Sequence, residues 1–325
     1  MIPSHRQWFN DSWTPEKYAT FLRLLGERVG EPARFRHSET PIFVDSSLVD
    51  RMATAGREIL EQLLENSEYQ RASAEAIPPK YRVPNEASHP LFVQADFGLD
   101  ENLNPKLVEI QGFPSLYAYQ PVMSECYREA YEIDTALSTL PDRTTSQAYV
   151  ELLGKAVCGT QDPENVFLLE VQPETQKTHC DFVLTERLFG VRAIDIESVK
   201  KRGNKLYAPG DVPIHRIYNR AIVDEIERKG VQLGFDWRDD LDVEWAGHPN
   251  WFFRLSKFSL PYLDHPAVPR TMFARPVDDP ERWVLKPLYS FAGLGVIVGP
   301  TKEQVAKASP EEYILQERVD FRPVI

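Results

Sequence analysis

The chain has 325 residues, 37 basic and 49 acidic, giving a formal net charge of −12 at pH 7. Its 42% apolar fraction, with 17 Phe, 13 Tyr and 6 Trp to bury, is that of a globular protein of one large domain or a few smaller ones, and excludes global disorder. The acidic balance excludes a broad nucleic-acid footprint, which needs clustered Lys and Arg, yet leaves room for a nucleotide held by a few local cations and a metal.

The opening Met1-Ile2-Pro3-Ser4-His5-Arg6-Gln7-Trp8 lacks the apolar heart of a signal peptide, and no run approaches the roughly eighteen apolar residues of a membrane span. Thr14-Pro15-Glu16 is a helix start: a capping hydroxyl, a proline in the first turn and an acid at the positive helix end. That helix is predicted to run to about Gly30. A second begins near Ser46, its Leu48, Val49, Met52, Ile59, Leu60, Leu63 and Leu64 spaced to make one buried face. Ile77 to Pro90 reads as a proline-rich connection. Leu91–Phe97 and Lys106–Gln111 are predicted strands joined across turn residues as a hairpin-like pair. A helical stretch over Leu116–Leu137 follows. From Asn165 strands and helices alternate: strand Val166–Val171, helix Thr175–Phe189, strand Arg192–Ile196, strands Lys205–Tyr207 and Ile214–Tyr218, helix Ala221–Lys229. Alternation of this kind predicts an α/β layer with a largely parallel sheet. Gly234 to Asn250 reads as a loop-rich crossing. The last segment holds strand Trp283–Lys286, a glycine loop, strand Val296–Val298, helix Lys302–Ala308 and strand Tyr313–Glu317. Cys126, Cys158 and Cys180 are far apart with no CxxC, and read as free thiols of a cytoplasmic protein.

The stretch Val284-Leu285-Lys286-Pro287-Leu288-Tyr289-Ser290-Phe291-Ala292-Gly293-Leu294-Gly295-Val296-Ile297-Val298 is the most informative. It lacks the GxxxxGK[ST] of a P-loop. The β-branched run after its glycines favours a strand where a dinucleotide turn needs a helix. What remains is a strand with a lysine, a glycine-rich flap and a second strand. Its backbone N–H groups suit closure over phosphates, although a surface hairpin with a solvated lysine would read alike. Asp96-Phe97-Gly98 matches the metal-binding triplet of protein kinases, but it precedes the flap and no catalytic-loop motif accompanies it. Asp96 nevertheless stands as an acid on a strand. Glu109 and Gln111 alternate along the next strand and point to one face, either as hard oxygen ligands or as a solvated polar edge. Arg220, just past a buried-looking strand, can grip a carboxylate or phosphate, cap a helix or pair with Asp224. The seven histidines show no zinc-binding spacing.

Taken in order, Lys286 on its strand, the flap, and Tyr313-Ile314-Leu315-Gln316-Glu317-Arg318-Val319 resemble the ATP-grasp pattern of lysine strand, flap and hinge strand. Within ATP-grasp proteins the chain is most similar to the glutathionylspermidine synthase and eukaryotic-type glutathione synthetase group. Gln94-Ala95-Asp96 and Glu109-Ile110-Gln111-Gly112 stand where that group has an "R-x-D … E-x-N" pair of strands. Ile217-Tyr218-Asn219-Arg220 and Leu255-Ser256-Lys257 extend the likeness, which spans about Phe92 to the C-terminus.

The resemblance implies an α/β, ATP-grasp-like fold of the glutathione synthetase type, in a permuted arrangement, with a central α/β substrate domain. Residues 1–90 would form a helical region, 91–160 the early metal-ligand strands, 161–250 the α/β domain, and 251–325 the lysine, flap and hinge segment. It implies an ATP- and Mg²⁺-dependent ligase that joins a small-molecule or peptide carboxylate to an amine through an acyl phosphate, with magnesium neutralising the meeting anions. By the same resemblance Asp96, Glu109 and Gln111 are the metal ligands. Lys257 and Lys286 lie on the phosphates, with Ser290, Gly293 and Gly295 in the flap. Gln316, Glu317 and the Val319 backbone are at the adenine hinge, and Arg220 is the catalytic arginine. Three departures stand out: Gln94 replaces the group's arginine, Gln111 its asparagine, and Ser290 occupies the region of a metal-binding flap acid. Relatives continue beyond the hinge strand, where this chain ends at Ile325, so a shortened form is expected. A non-catalytic nucleotide- or peptide-binding relative is the alternative, and a small-molecule kinase a third reading.

Overall fold

The computed structural model describes residues 2–32, 34–113, 115–141, 144–290 and 293–323. In chain order its helices begin with α1 (Pro3–Ser12), α2 (Pro15–Val29), α3 (Ser46–Glu65) and α4 (Ser67–Glu75), followed by strands β1 (Gln94–Leu99) and β2 (Pro105–Gln111). Then come α5 (Tyr119–Tyr131), α6 (Ser146–Cys158), β3 (Val166–Glu170), α7 (His179–Phe189), β4 (Arg192–Asp195), β5 (Lys200–Arg202), β6 (Lys205–Ala208), β7 (Val212–Ile214) and β8 (Arg216–Asn219). The remainder is α8 (Val223–Lys229), β9 (Glu244–Ala246), α9 (Trp251–Arg254), β10 (Thr271–Phe273), β11 (Trp283–Pro287), β12 (Ile297–Val298), α10 (Lys302–Lys307) and β13 (Tyr313–Glu317). No helix among the described residues is long and apolar enough to cross a membrane.

The helix signals in the sequence act as expected. Thr14 accepts from the Lys17 amide at 3.2 Å, Pro15 opens α2, and Gly30 closes it in the left-handed region at φ +90°. Asn66 caps α4 through the Glu68 and Tyr69 amides, both at 3.0 Å. Helix α5 is shorter than its pattern. Leu116 takes φ +67°, the helix begins at Tyr119, and Glu132 ends it in the left-handed region. No side chain of its own caps α5. Instead Asp181 on α7, fully buried, accepts from Leu116, Ala118 and Tyr119 amides at 3.2, 2.9 and 3.0 Å. A carboxylate from another helix thereby satisfies donors that would otherwise be orphaned in the interior.

Compactness divides the chain into two units, each assembled from separated segments: 1–49 with 114–247, and 50–113 with 248–324. These limits do not coincide with the consecutive segments ending at 90, 160 and 250. The first unit holds a four-stranded parallel sheet in the order β4-β3-β8-β9 and a three-stranded antiparallel sheet β5-β6-β7. Central β3 is buried along its whole length, as the apolar run Val166–Leu169 requires of a strand covered on both faces, and Glu170 at its end is buried with it. Strand β9 lies inside the stretch 234–250 expected to be loop; only its pairing with β8 makes three residues of mixed character a strand.

The second unit contains the β1–β2 hairpin and a four-stranded sheet in the order β10-β13-β11-β12, whose pairs are antiparallel. The parallel sheet expected from the alternating segment after Asn165 is thus found in the first unit, whereas the lysine and hinge strands of the second unit pair antiparallel. Its core gathers Ile59, Leu63, Tyr69, Leu107, Ile110, Trp251, Leu255, Phe258, Leu260, Leu288 and Ile314. Each such side chain, fully buried, contributes about 1.5–3 kcal/mol of transfer free energy. Buried Arg254 pairs with Glu86 and lies 4.6 Å over the Trp251 ring, fixing α9 against this core.

Candidate functional site

The β1–β2 hairpin sets the first part of the site. Asp96 lies opposite Glu109 and Gln94 opposite Gln111, so the four polar side chains share one face. The register shifts between Asp96 and Phe97, because Phe97 pairs with Leu107 and leaves Val108 as an extra residue. This bulge lets Leu107 and Ile110 both enter the core while Glu109 and Gln111 stay on the polar face. It also turns two backbone carbonyls toward the second sheet. Gln94 donates to Asp96 Oδ1 at 2.9 Å, the place where an arginine was expected to add a charge.

Both lysines named from the sequence converge on this hairpin. Lys286, on β11, is 5% exposed and donates to Val108 O at 2.9 Å and to Gln316 Oε1 at 2.6 Å. The Gln316 amide in turn donates to Leu107 O at 3.2 Å. Burial pushes the Lys286 ammonium down to about 8, with Glu109 opposing and Lys257 reinforcing the shift. Lys257 opens a 3₁₀ helix, Lys257–Tyr262, that the sequence did not announce; the Ser256 hydroxyl starts it by accepting from the Phe258 amide at 3.2 Å. The Gly112 amide donates to Leu255 O at 3.0 Å, and a Cβ at Gly112 would stand 3.1 Å from Trp251 O, so α9 sits tightly on the end of β2. Lys257 then reaches Glu109 Oε2 at 2.7 Å and donates to Ser290 O at 2.6 Å.

Strands β11 and β12 form the expected strand–flap–strand hairpin, with Val284 opposite Val298 and Leu285 opposite Ile297. Gly293 and Gly295 take φ +73° and +75°, and a Cβ at Gly295 would lie 2.8 Å from the Pro287 ring. Phe291 and Ala292, at the centre of the flap, lie outside the described residues. The Ser290 hydroxyl is buried and, among the described residues, has no hydrogen-bond partner.

A cavity of about 520 Å³ unites these parts. Glu109, Lys257, Lys286, Gly293, Gln316, Glu317 and Val319 line it, together with Val284, Val296, Val298 and Phe321. Asp96, Gln111, Ser290 and Gly295 stand outside its lining, although the first two share the face of Glu109 and Ser290 touches Lys257. Sequence reasoning missed Phe321, the bulge carbonyls and the bridging role of the Gln316 side chain. For Phe321 the available signal was an aromatic residue just past the hinge strand.

The donors suit the groups that the resemblance implies. Two buried cations, positive-φ glycines and an orphaned hydroxyl suit a polyphosphate. Two carboxylates and an amide oxygen suit Mg²⁺, which takes one or two protein carboxylates and completes its shell with ligand oxygens and water. Among the described residues no three His, Cys, Asp or Glu cluster, so a metal held by protein alone does not fit.

Arg220 belongs to the first unit. It follows β8 at the carboxyl end of the parallel sheet, is 8% exposed, and donates its backbone N–H to Leu169 O at 2.9 Å. Two buried acids feel its charge. Burial pushes the Glu170 carboxyl up to about 8 and raises Asp181, while Arg220 pulls both back. The carboxyl ends of parallel strands are where open α/β sheets bind ligands.

No family model matches the chain, and no curated protein matches it in sequence. Among solved structures it is similar to a glutathione synthetase-like effector from Globodera pallida in its apo form, with a TM-score of 0.54 and 15% identity over 88% of this chain and 74% of that one. The likeness establishes a shared mixed α/β fold of the glutathione synthetase-like kind.

Proposed function

We propose that the chain is an ATP- and Mg²⁺-dependent carboxylate–amine ligase of the ATP-grasp type. The observation that carries this reading is the convergence of two buried lysines, an acid, the glycine flap and the residues after the hinge strand on one cavity. Lys286 is buried against neutral oxygens only, and burying an ammonium group is costly unless an anion is meant to meet it. Lys257 and Lys286 would hold the phosphates, beside Ser290, Gly293 and Gly295 of the flap. Gln316, Glu317 and Val319 would face the base. Glu109, with Asp96 and Gln111, would hold Mg²⁺, and Arg220 would bind an anion at the sheet end of the first unit. Bound Mg²⁺–ATP would supply the phosphoryl group that activates a substrate carboxylate. The protein's own contribution is to position the anions, neutralise them and exclude water.

A second reading, nucleotide binding without ligation, is favoured by the Gln94–Asp96 contact, which leaves uncharged the position where the resembling group has arginine. Thermal shift against ATP with and without Mg²⁺ tests the shared claim, since a ligand of the folded state raises Tm by mass action. ADP release that depends on both a carboxylate and an amine separates the two. A rise in Tm without such release, across peptide and polyamine substrates, assigns the chain to the second reading. No rise in Tm at all removes both.

A further inference from the structure

We propose that Phe321 is the aromatic wall of the nucleobase site, and that position 98 is glycine in order to seat it. The inference rests on the nucleotide reading above and adds to it a specificity-determining residue and the chain segment that presents it. After β13 the chain crosses to the β1–β2 hairpin, where the Arg322 amide donates to Leu99 O at 2.8 Å. Phe321 is thereby laid over Gly98: a Cβ at that position would meet ring atoms at 2.4, 2.5 and 2.8 Å. Any side chain at 98 would displace the ring, and Gly98 needs no positive φ that would otherwise account for glycine there. The residue is nonetheless 47% exposed, and it lines the same cavity as Lys257, Lys286 and Val319. Val284, Val296 and Val298 complete an apolar lining. A half-exposed aromatic residue fixed on one side, in an apolar cavity that also holds two buried cations, fits a ligand with a planar heteroaromatic base and a polyphosphate.

The test is calorimetric titration of Mg²⁺–ATP and of Mg²⁺–tripolyphosphate into wild type, Phe321→Ala, Phe321→Trp and Gly98→Ala, with circular dichroism as a check on folding. Phe321→Ala and Gly98→Ala are expected to weaken ATP roughly tenfold or more, the usual effect of losing one stacked base, and to leave tripolyphosphate unchanged. Phe321→Trp should retain ATP affinity. Unchanged ATP affinity in a folded Phe321→Ala protein overturns the proposal and leaves the nucleotide reading standing. Equal weakening of ATP and tripolyphosphate also overturns it, because the ring would then be shaping the phosphate site. Wild type that binds neither probe brings down the nucleotide reading and Phe321 with it.

Discussion

Glu109 and Lys257 neutralise one another, 2.7 Å apart and largely buried. A metal arriving alone would have to take Glu109 from Lys257, leaving a bare cation beside a divalent one. A polyphosphate arriving alone would leave Glu109 beside phosphates. On the proposed function the two would arrive together and exchange partners, which matches their charges. Glu109→Gln keeps an oxygen for Lys257 but removes the repulsion, so ATP in EDTA is expected to bind about 1–2 kcal/mol more tightly, roughly tenfold. The gain on adding Mg²⁺ should shrink in the same variant. Calorimetry in the two buffers reads both effects, and metal-free affinity no better than wild type would refute the exchange. Lys286 makes a complementary case. Removing its ammonium in Lys286→Ala should cost ATP binding about 1.5–3 kcal/mol, the value of a charge-assisted contact. Ordinary surface lysine variants provide the baseline, and an affinity equal to theirs would remove Lys286 from the clamp.

At the scale of elements, α5 depends on a residue far away in sequence. Its own first turn offers no capping side chain, and Asp181 supplies the acceptor for three amides. Asp181→Ala is expected to destabilise the protein by about 2–4 kcal/mol, because buried donors then go unsatisfied, with some offset from no longer burying a carboxylate. Asp181→Asn, which keeps an acceptor, should lose less. Denaturant unfolding measures the ranking, and an alanine variant as stable as the asparagine variant would show that α5 finds other acceptors. The hairpin offers a second lesson at this scale. One extra residue, Val108, decides which side chains enter the core and which carbonyls meet Lys286 and Gln316.

For the molecule as a whole, two buried ionisable groups in different units tilt stability in opposite directions. Glu170 titrates near 8 when folded against an ordinary 4.5, so the folded state holds the extra proton between those values and stability falls as pH rises through them. Lys286 titrates near 8 against an ordinary 10.5, so the unfolded state holds the extra proton there and stability rises with pH across that upper window. Their joint contribution is lowest near pH 8. Compared with wild type, Glu170→Gln should flatten the acid limb and Lys286→Met the alkaline limb of unfolding free energy measured from about pH 5 to about pH 10. Variant curves that stay parallel to wild type would contradict the burial assigned to both groups.

Local signals settled what is local. The Thr14 cap and Pro15, the apolar run Val166–Leu169 of β3, and the β-branched residues after the flap glycines placed their elements, since each depends on neighbours a few residues away. The order of lysine strand, flap and hinge strand was legible for the same reason, and with it the candidate residues Lys257, Lys286, Glu109 and Gln316. That the strands of Asp96 and Glu109 should lie against the late flap strands was expected too, and they do; the individual partners were not legible. Lys286 and Val108 are 178 positions apart, Gln316 and Leu107 are 209 apart, and Asp181 reaches back 65 positions to Leu116. Contacts at such separations follow from burying several apolar faces at once, which no stretch of sequence encodes alone. The same holds for β9, a strand because β8 pairs with it, and for Gly98, whose missing side chain has meaning once Phe321 returns to cover it. Residue chemistry supplied the candidate parts, and packing within the second unit decided which of them share one cavity, while Arg220 belongs to the first unit.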